Sequence, residues 1–116
     1  MTKLDEKKTD LANRKCQPCQ KNGKPMKESE VREYLKQLSG WEFSEGAVHK
    51  TFKFEDYYRT ASFVNAVAWI ASREDHHPDI EFGYNKCRVS FRTHAVGGIS
   101  ENDFIAAAKI DALTEL

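Results

Sequence analysis

Residues 80–91 alternate apolar and polar side chains on both sides of a short polar break, and this pattern constrains the fold more than any other. A period of two is typical of a β-strand with one buried face, and two such runs around a two-residue break predict a hairpin. We expect Asn85-Lys86 to form its loop. The predicted pairs are then Tyr84 with Cys87, Phe82 with Val89 and Ile80 with Phe91.

A second strand pair is predicted earlier in the chain. Trp41 and Phe43 alternate toward Glu45-Gly46, which has the composition of a hairpin turn. Residues of one parity follow the turn and are apolar except for Lys50. We therefore expect two antiparallel strands here, with one lysine on the apolar face.

Helical spacing of apolar residues predicts three helices. The first opens near Ser29 and stops at Gly40, the second runs from Asp56 to about Arg73, and the third opens at Ser100. The resulting order is α-β-β-α-β-β-α. It predicts an α+β fold, a two-layer sandwich of a four-stranded antiparallel sheet with three helices on one face. The uncovered face or edge of this sheet would be open to self-association.

The chain divides by charge near residue 27. Residues 1–27 hold eight basic and three acidic side chains, and the whole chain has a formal net charge of zero. We expect residues 1–27 to be a polar extension, mobile or loosely docked, and residues 28–116 to be a single domain.

Charge, apolar runs and cysteine content narrow the classes of protein to which this chain can belong. A net charge of zero gives no indication of a nucleic-acid or membrane partner. No run is long and apolar enough to span a bilayer, and the first residues have no signal-peptide pattern. Three cysteines, Cys16, Cys19 and Cys87, are too few for a disulfide framework. We expect a cytoplasmic protein.

Histidines are concentrated near one end of the predicted second hairpin. Extending its register places His77 opposite His94, with His76 beside them, although Pro78 interrupts the ladder. Clustered imidazoles repel one another as cations, so such a site holds charged and neutral members together near neutral pH. One histidine can then donate a proton while another accepts one, which general acid–base catalysis of a dehydration requires.

Other interpretations of the histidines remain open at this stage. Adjacent histidines at a helix end are often polar surface residues that the helix dipole stabilises. Three imidazoles and a water can also bind zinc, although no helical i, i+4 pair holds these three.

Three other features have more than one interpretation. Asp103 could fix a histidine tautomer, or it could complete a capping box with Ser100. Cys16 and Cys19 have the spacing of half a zinc site or of a redox dithiol, but no second ligand pair accompanies them, and an incidental pair is the simpler interpretation. Trp41 is most simply a core aromatic, and it could also stack on a flat ring.

The spaced residues resemble the signature of the pterin-4a-carbinolamine dehydratases. The match comprises His76-His77-Pro78, Tyr84, His94 and Asp103 without a gap, within a resemblance that covers about residues 28–116. Supporting matches are Gly40-Trp41, Phe52-Lys53-Phe54 and Tyr84-Asn85-Lys86.

The resemblance implies a hydro-lyase that converts 4a-hydroxytetrahydropterin to quinonoid dihydropterin and water, with no metal or cofactor required. His76, His77 and His94 would surround the pterin, Asp103 would support them, and Asp75 would lie near the polar edge of the pterin. Trp41 is a further candidate for substrate binding. We expect His76 to act as the base and His94 as the acid.

The resemblance also implies a biological setting. The enzyme would recycle the tetrahydrobiopterin cofactor of an aromatic amino acid hydroxylase and would form a homodimer or homotetramer. Two alternatives remain open: a dimerisation or binding module of the same fold without turnover, and a three-histidine metal hydrolase.

Overall fold

The helices and strands follow one another in the predicted order, α-β-β-α-β-β-α. The computed structural model describes residues 11–18 and 23–114. Its helices α1, α2 and α3 are Glu28–Leu35, Tyr57–Glu74 and Glu101–Leu113, with a 3₁₀ turn at His94–Val96; its strands β1 to β4 are Glu42–Ser44, Ala47–Lys53, Asp79–Phe82 and Lys86–Phe91. The strands form one antiparallel sheet in the order β1-β2-β4-β3. The predicted α+β sandwich is confirmed.

Local backbone and side-chain interactions fix both ends of helix α2. The Asp56 side chain accepts the amide of Arg59 at 2.8 Å, which satisfies an otherwise unpaired donor of the first turn. At the other end Asp75 adopts a left-handed conformation with φ of 51°, which aspartate tolerates better than most residues. The amide of His76 then donates to Ala71 O at 3.1 Å. Helix termination therefore determines where the backbone of His76 lies.

The first hairpin has the predicted turn. Glu45 and Gly46 both have positive φ, of 52° and 77°, as a two-residue turn of this kind requires. Ser44 pairs with Ala47 across the turn.

The register predicted for the second hairpin is wrong by two residues. Phe82 pairs with Cys87 instead of Val89, and the loop comprises residues 83–85. The Gly83 amide donates to Lys86 O at 3.0 Å across this loop. The backbone carbonyls of Tyr84 and Asn85 accept hydrogen bonds from Thr60 Oγ1 and the Phe54 amide, at 3.0 and 2.8 Å.

The ladder between β3 and β4 ends before the histidines. Its last pair is Asp79 with Ser90, so the extrapolated pairing of His77 with His94 does not form.

The core lies between the sheet and the helices. Helix α2 buries Thr60, Phe63, Val67 and Ala71, which recur every three or four residues, whereas nearly the whole of α3 is buried. On the sheet, alternate residues of the two central strands face this core. They are Val48, Phe52, Cys87, Val89 and Phe91.

The lysine on the apolar face of β2 is neutralised by a buried acid. Lys50 Nζ donates to Asp111 Oδ1 at 2.9 Å, and Trp41 Nε1 donates to Asp111 Oδ2 at 3.0 Å. Because Asp111 is only 9% exposed, these charge-assisted bonds offset the cost of its burial.

The segment before α1 contacts the domain in the part that the structure describes. Leu11 is fully buried in the core, and Lys109 Nζ donates to Ala12 O at 2.8 Å. Further along, the Met26 amide donates to Ile99 O at 2.8 Å. The division of the chain near residue 27 stays a prediction.

No helix in residues 11–18 and 23–114 is long and apolar enough to cross a membrane.

We predict that Gly98→Ala destabilises the fold, because an added Cβ would lie 2.7 Å from Pro25 Cβ. Overpacking of this kind lowers the free energy of unfolding by about 1–3 kcal/mol. Urea denaturation followed by circular dichroism measures it. Gly83→Ala is the matched control, since its Cβ would meet no atom within 4 Å, and its effect should stay within about 0.5 kcal/mol. Equal stability of the two variants would contradict the close packing of Pro25 on Gly98.

Candidate active site

Three of the four histidines line one cavity at the carboxyl end of α2. The cavity has a volume of about 720 Å³, and His76, His77 and His94 lie on its wall together with Asp75. The predicted convergence of these histidines is therefore confirmed, although their predicted pairing is wrong. The fourth histidine, His49, lies on β2 and contacts Ser44 Oγ at 2.7 Å.

Two connections place the histidines. His76 and His77 lie in the four-residue link between α2 and β3, and His94 opens the 3₁₀ turn that follows β4. That turn is closed by Thr93, whose amide donates to Gly98 O at 2.7 Å. Because β3 and β4 are antiparallel neighbours, the start of β3 and the end of β4 lie side by side at the same end of the sheet.

A buried carboxylate orients His76. The Nε2 atom of His76 lies 2.6 Å from Asp103 Oδ1, and the Asp103 side chain is fully buried. The other carboxylate oxygen accepts Thr93 Oγ1 and the Ser100 amide, each at 2.9 Å. Asp103 thus completes the capping box of α3 and also contacts a histidine, and its role in fixing the tautomer of that histidine stays a prediction.

The three histidines differ in their surroundings. The ring of His76 stacks on Phe91 with the centroids 5.7 Å apart and the planes 9° from parallel. Its side chain is only 12% exposed. His77 and His94 are both exposed at the cavity surface. A ring held by stacking and by a carboxylate therefore adjoins two rings with more freedom.

Of the predicted site residues, Trp41 lies away from this cavity, whereas Asp103 is buried beside it and contacts His76. Trp41 is 6% exposed, its indole donates to Asp111, and it packs near Phe52 and Phe91. Its role in substrate binding stays a prediction, as do the roles assigned to the residues on the cavity wall.

Several residues at the site were not assigned to it by the sequence analysis. Thr93 supports Asp103, and residues 15–18 form part of the cavity wall with Glu74 and Asn102. Contacts between residues more than 50 positions apart join this segment to the two helices, and periodicity does not report such contacts. A polar segment without a strand or helix pattern offered nothing further to interpret.

Cys16 lies in this wall as a protonated thiol. Burial, with the nearby charge and hydrogen bond of Glu74, raises the pKa of Cys16 from 9.0 to about 12. Thiolate is the form that binds metals and exchanges disulfides, so this environment disfavours both uses of the Cys16–Cys19 pair. Cys19 itself lies outside the described residues.

No arrangement of three or more His, Cys, Asp or Glu side chains suited to holding a metal ion occurs within the described ranges.

Comparison with known proteins identifies related sequences and structures. The family model described as pterin 4 alpha carbinolamine dehydratase matches residues 24–113. A protein of Nitrosospira multiformis, whose name gives a predicted pterin-4-alpha-carbinolamine dehydratase activity, is 51% identical over 97% of this chain and 100% of its own length.

Two solved structures have a similar fold. One is the transcriptional coactivator/pterin dehydratase from Brucella melitensis, with a TM-score of 0.73 and 34% identity over 77% of this chain and 97% of that one. The other is a pterin dehydratase-like protein identified as a RuBisCO assembly factor in the alpha-carboxysome. It has a TM-score of 0.53 and 26% identity over 63% of this chain and 84% of that one.

We predict that Cys16 resists alkylation. In a Cys19→Ser background at pH 8, iodoacetamide should modify Cys16 at least about 100-fold more slowly than a free thiol, because little thiolate is present. Peptide mass spectrometry over time measures the rate. Burial also links the pKa of Cys16 to stability, because this pKa is about 12 in the folded protein and 9.0 in an exposed thiol. The stability that the neutral Cys16 thiol contributes is therefore present below pH 9.0 and is lost as the pH rises toward 12. Alkylation at the rate of a free thiol would contradict the burial of Cys16.

Proposed function

Because the chain belongs to the pterin 4 alpha carbinolamine dehydratase family, we propose that it catalyses the dehydration of 4a-hydroxytetrahydropterin. The products are quinonoid dihydropterin and water, which makes the enzyme a hydro-lyase. The observation that carries this proposal is the cavity shared by three histidines, one of which contacts a buried carboxylate.

The reaction requires an acid and a base on the two sides of one carbon–nitrogen bond. The base removes the proton from nitrogen, whose electron pair forms the carbon–nitrogen double bond. The carbon–oxygen bond breaks, and the departing hydroxyl takes a proton from the acid and leaves as water. Both side chains regain their starting states by proton exchange with solvent.

We assign the base to His76. With Asp103 ionised, its carboxylate accepts a hydrogen bond from Nε2–H of His76, and Nδ1 of the same ring keeps its lone pair. The carboxylate also stabilises the imidazolium that forms when His76 takes up a proton. Stacking on Phe91 holds the ring orientation during this transfer.

We assign the acid to His94, which lies on the same cavity and is exposed to solvent. Exposure allows it to recover a proton after each turnover. His77 and Asp75 complete the substrate-binding surface, with Asp75 as an acceptor for the polar edge of the pterin.

The wider role that we propose follows from this activity. Removing the 4a-hydroxyl would return the tetrahydrobiopterin cofactor of an aromatic amino acid hydroxylase to its reducible form. We propose that the enzyme works in the cytoplasm as a homodimer or homotetramer.

We predict that the wild-type protein accelerates the dehydration of freshly generated 4a-hydroxytetrahydropterin, followed by ultraviolet absorbance. A His76→Ala/His94→Ala variant should lose at least about 100-fold in rate constant, because each acid–base group contributes about 100-fold or more. His49→Ala is the matched control, since it removes a histidine outside the cavity, and it should retain wild-type activity. A folded wild-type protein that gives no acceleration over buffer would refute the proposed function.

The two single variants test the assignment of acid and base. Removing His76 should abolish the limb of the pH–rate profile that rises as a base deprotonates, and removing His94 should abolish the limb that falls as an acid deprotonates. Stopped-flow measurements across pH 5.5–9 would record both limbs, at about half-unit steps. Single variants that each keep both limbs would refute the assignment without affecting the proposed reaction.

A further inference from the structure

Residues 15–18, which we name the N-terminal strap, lie against the cavity although they fall outside the segment that matches the family model. Four consecutive strap residues line the cavity that also holds the three histidines. They are Lys15, Cys16, Gln17 and Pro18. We propose that the strap is a substrate-positioning wall of the active site, an inference that rests on the proposed function.

Glu74 holds the strap to the end of α2. Its Oε1 atom accepts the amide of Cys16 at 2.9 Å. The other oxygen lies 3.9 Å from Lys109 Nζ, which in turn donates to Ala12 O at 2.8 Å. Glu74 therefore binds the backbone of Cys16 directly and is linked to the backbone of Ala12 through Lys109.

Asn102 holds the strap to the start of α3. Its Oδ1 atom accepts the amide of Gln17 at 3.0 Å, and its Nδ2 atom donates to Gln17 O at 2.6 Å. The Cys16 thiol donates to Asn102 O at 3.6 Å. Asn102 is only 9% exposed, so this reciprocal pair is shielded from competing water.

Both anchors adjoin residues that place the catalytic histidine. Glu74 lies two positions before His76, and Asn102 immediately precedes Asp103. The strap and the His76 ring are therefore positioned by the same two helix ends. A shift of the strap relative to these ends would change the width of the cavity without altering the His76–Asp103 contact.

The strap places groups suited to a flat, polar ring on the cavity wall. Lys15 and Gln17 are exposed there and carry a cation and a carboxamide, and Pro18 adds a rigid apolar surface. Such a wall confines the bound pterin against the histidines but donates no proton to the reacting atoms. It should act on substrate affinity, with Glu74 and Asn102 as positioning residues that act through it.

Steady-state dehydration by full-length variants tests this inference. Glu74→Ala and Asn102→Ala should each raise KM about 5- to 10-fold while kcat stays within about 2-fold, because the strap contacts the bound ground state and transition state alike. Glu74→Gln is the matched control: it keeps an oxygen that accepts the Cys16 amide, and its KM should stay within about 2-fold of the wild type. Calorimetric titration with 7,8-dihydrobiopterin should show the same pattern in Kd.

The outcomes separate this inference from the proposed function. An unchanged KM with a lower Tm, a fall in kcat alone, or an equal loss in Glu74→Gln would overturn the positioning role. If the wild type shows no turnover but binds dihydrobiopterin more tightly than the two alanine variants, the proposed function fails, and only the role of the strap in positioning a bound pterin stands. Absence of both turnover and binding in the wild type would overturn both.

Discussion

The candidate site depends on the hydrogen bonds of the Asp103 carboxylate. A fully buried ionisable group is tolerated only when its hydrogen-bonding capacity is met. Its partners come from three segments: His76 after α2, Thr93 after β4, and Ser100 at the start of α3. One side chain therefore joins the end of a helix, the end of a strand and the beginning of another helix.

This arrangement gives His76 and His94 different surroundings. His76 is confined by Asp103 and Phe91, so its ring is held with one nitrogen committed to the carboxylate. His94 opens an exposed turn and can exchange protons with water. A confined histidine beside an accessible one suits the proposed reaction, in which one proton leaves as another arrives, and local structure alone creates this asymmetry between chemically identical side chains.

Several features could be predicted from the sequence because short-range chemistry determines them. Period-two alternation and the Glu45-Gly46 turn specified the first hairpin, and capping residues specified where α2 and α3 begin. The second hairpin had equally clear alternation, but its register was wrong. Thr60 of α2 donates to the carbonyl of Tyr84 in the hairpin loop, and a contact of this kind depends on how α2 lies against the sheet.

The sequence by itself determined the order of helices and strands, the family resemblance and the concentration of three histidines at one end of the second hairpin. Only the tertiary structure decided that Asp111 neutralises Lys50, that Trp41 donates to Asp111 away from the cavity, and that residues 15–18 line the cavity. The physical reason is the range of the interactions. Propensity and periodicity act between residues a few positions apart, whereas these contacts join residues about 60 to 90 positions apart that meet only after the chain has folded.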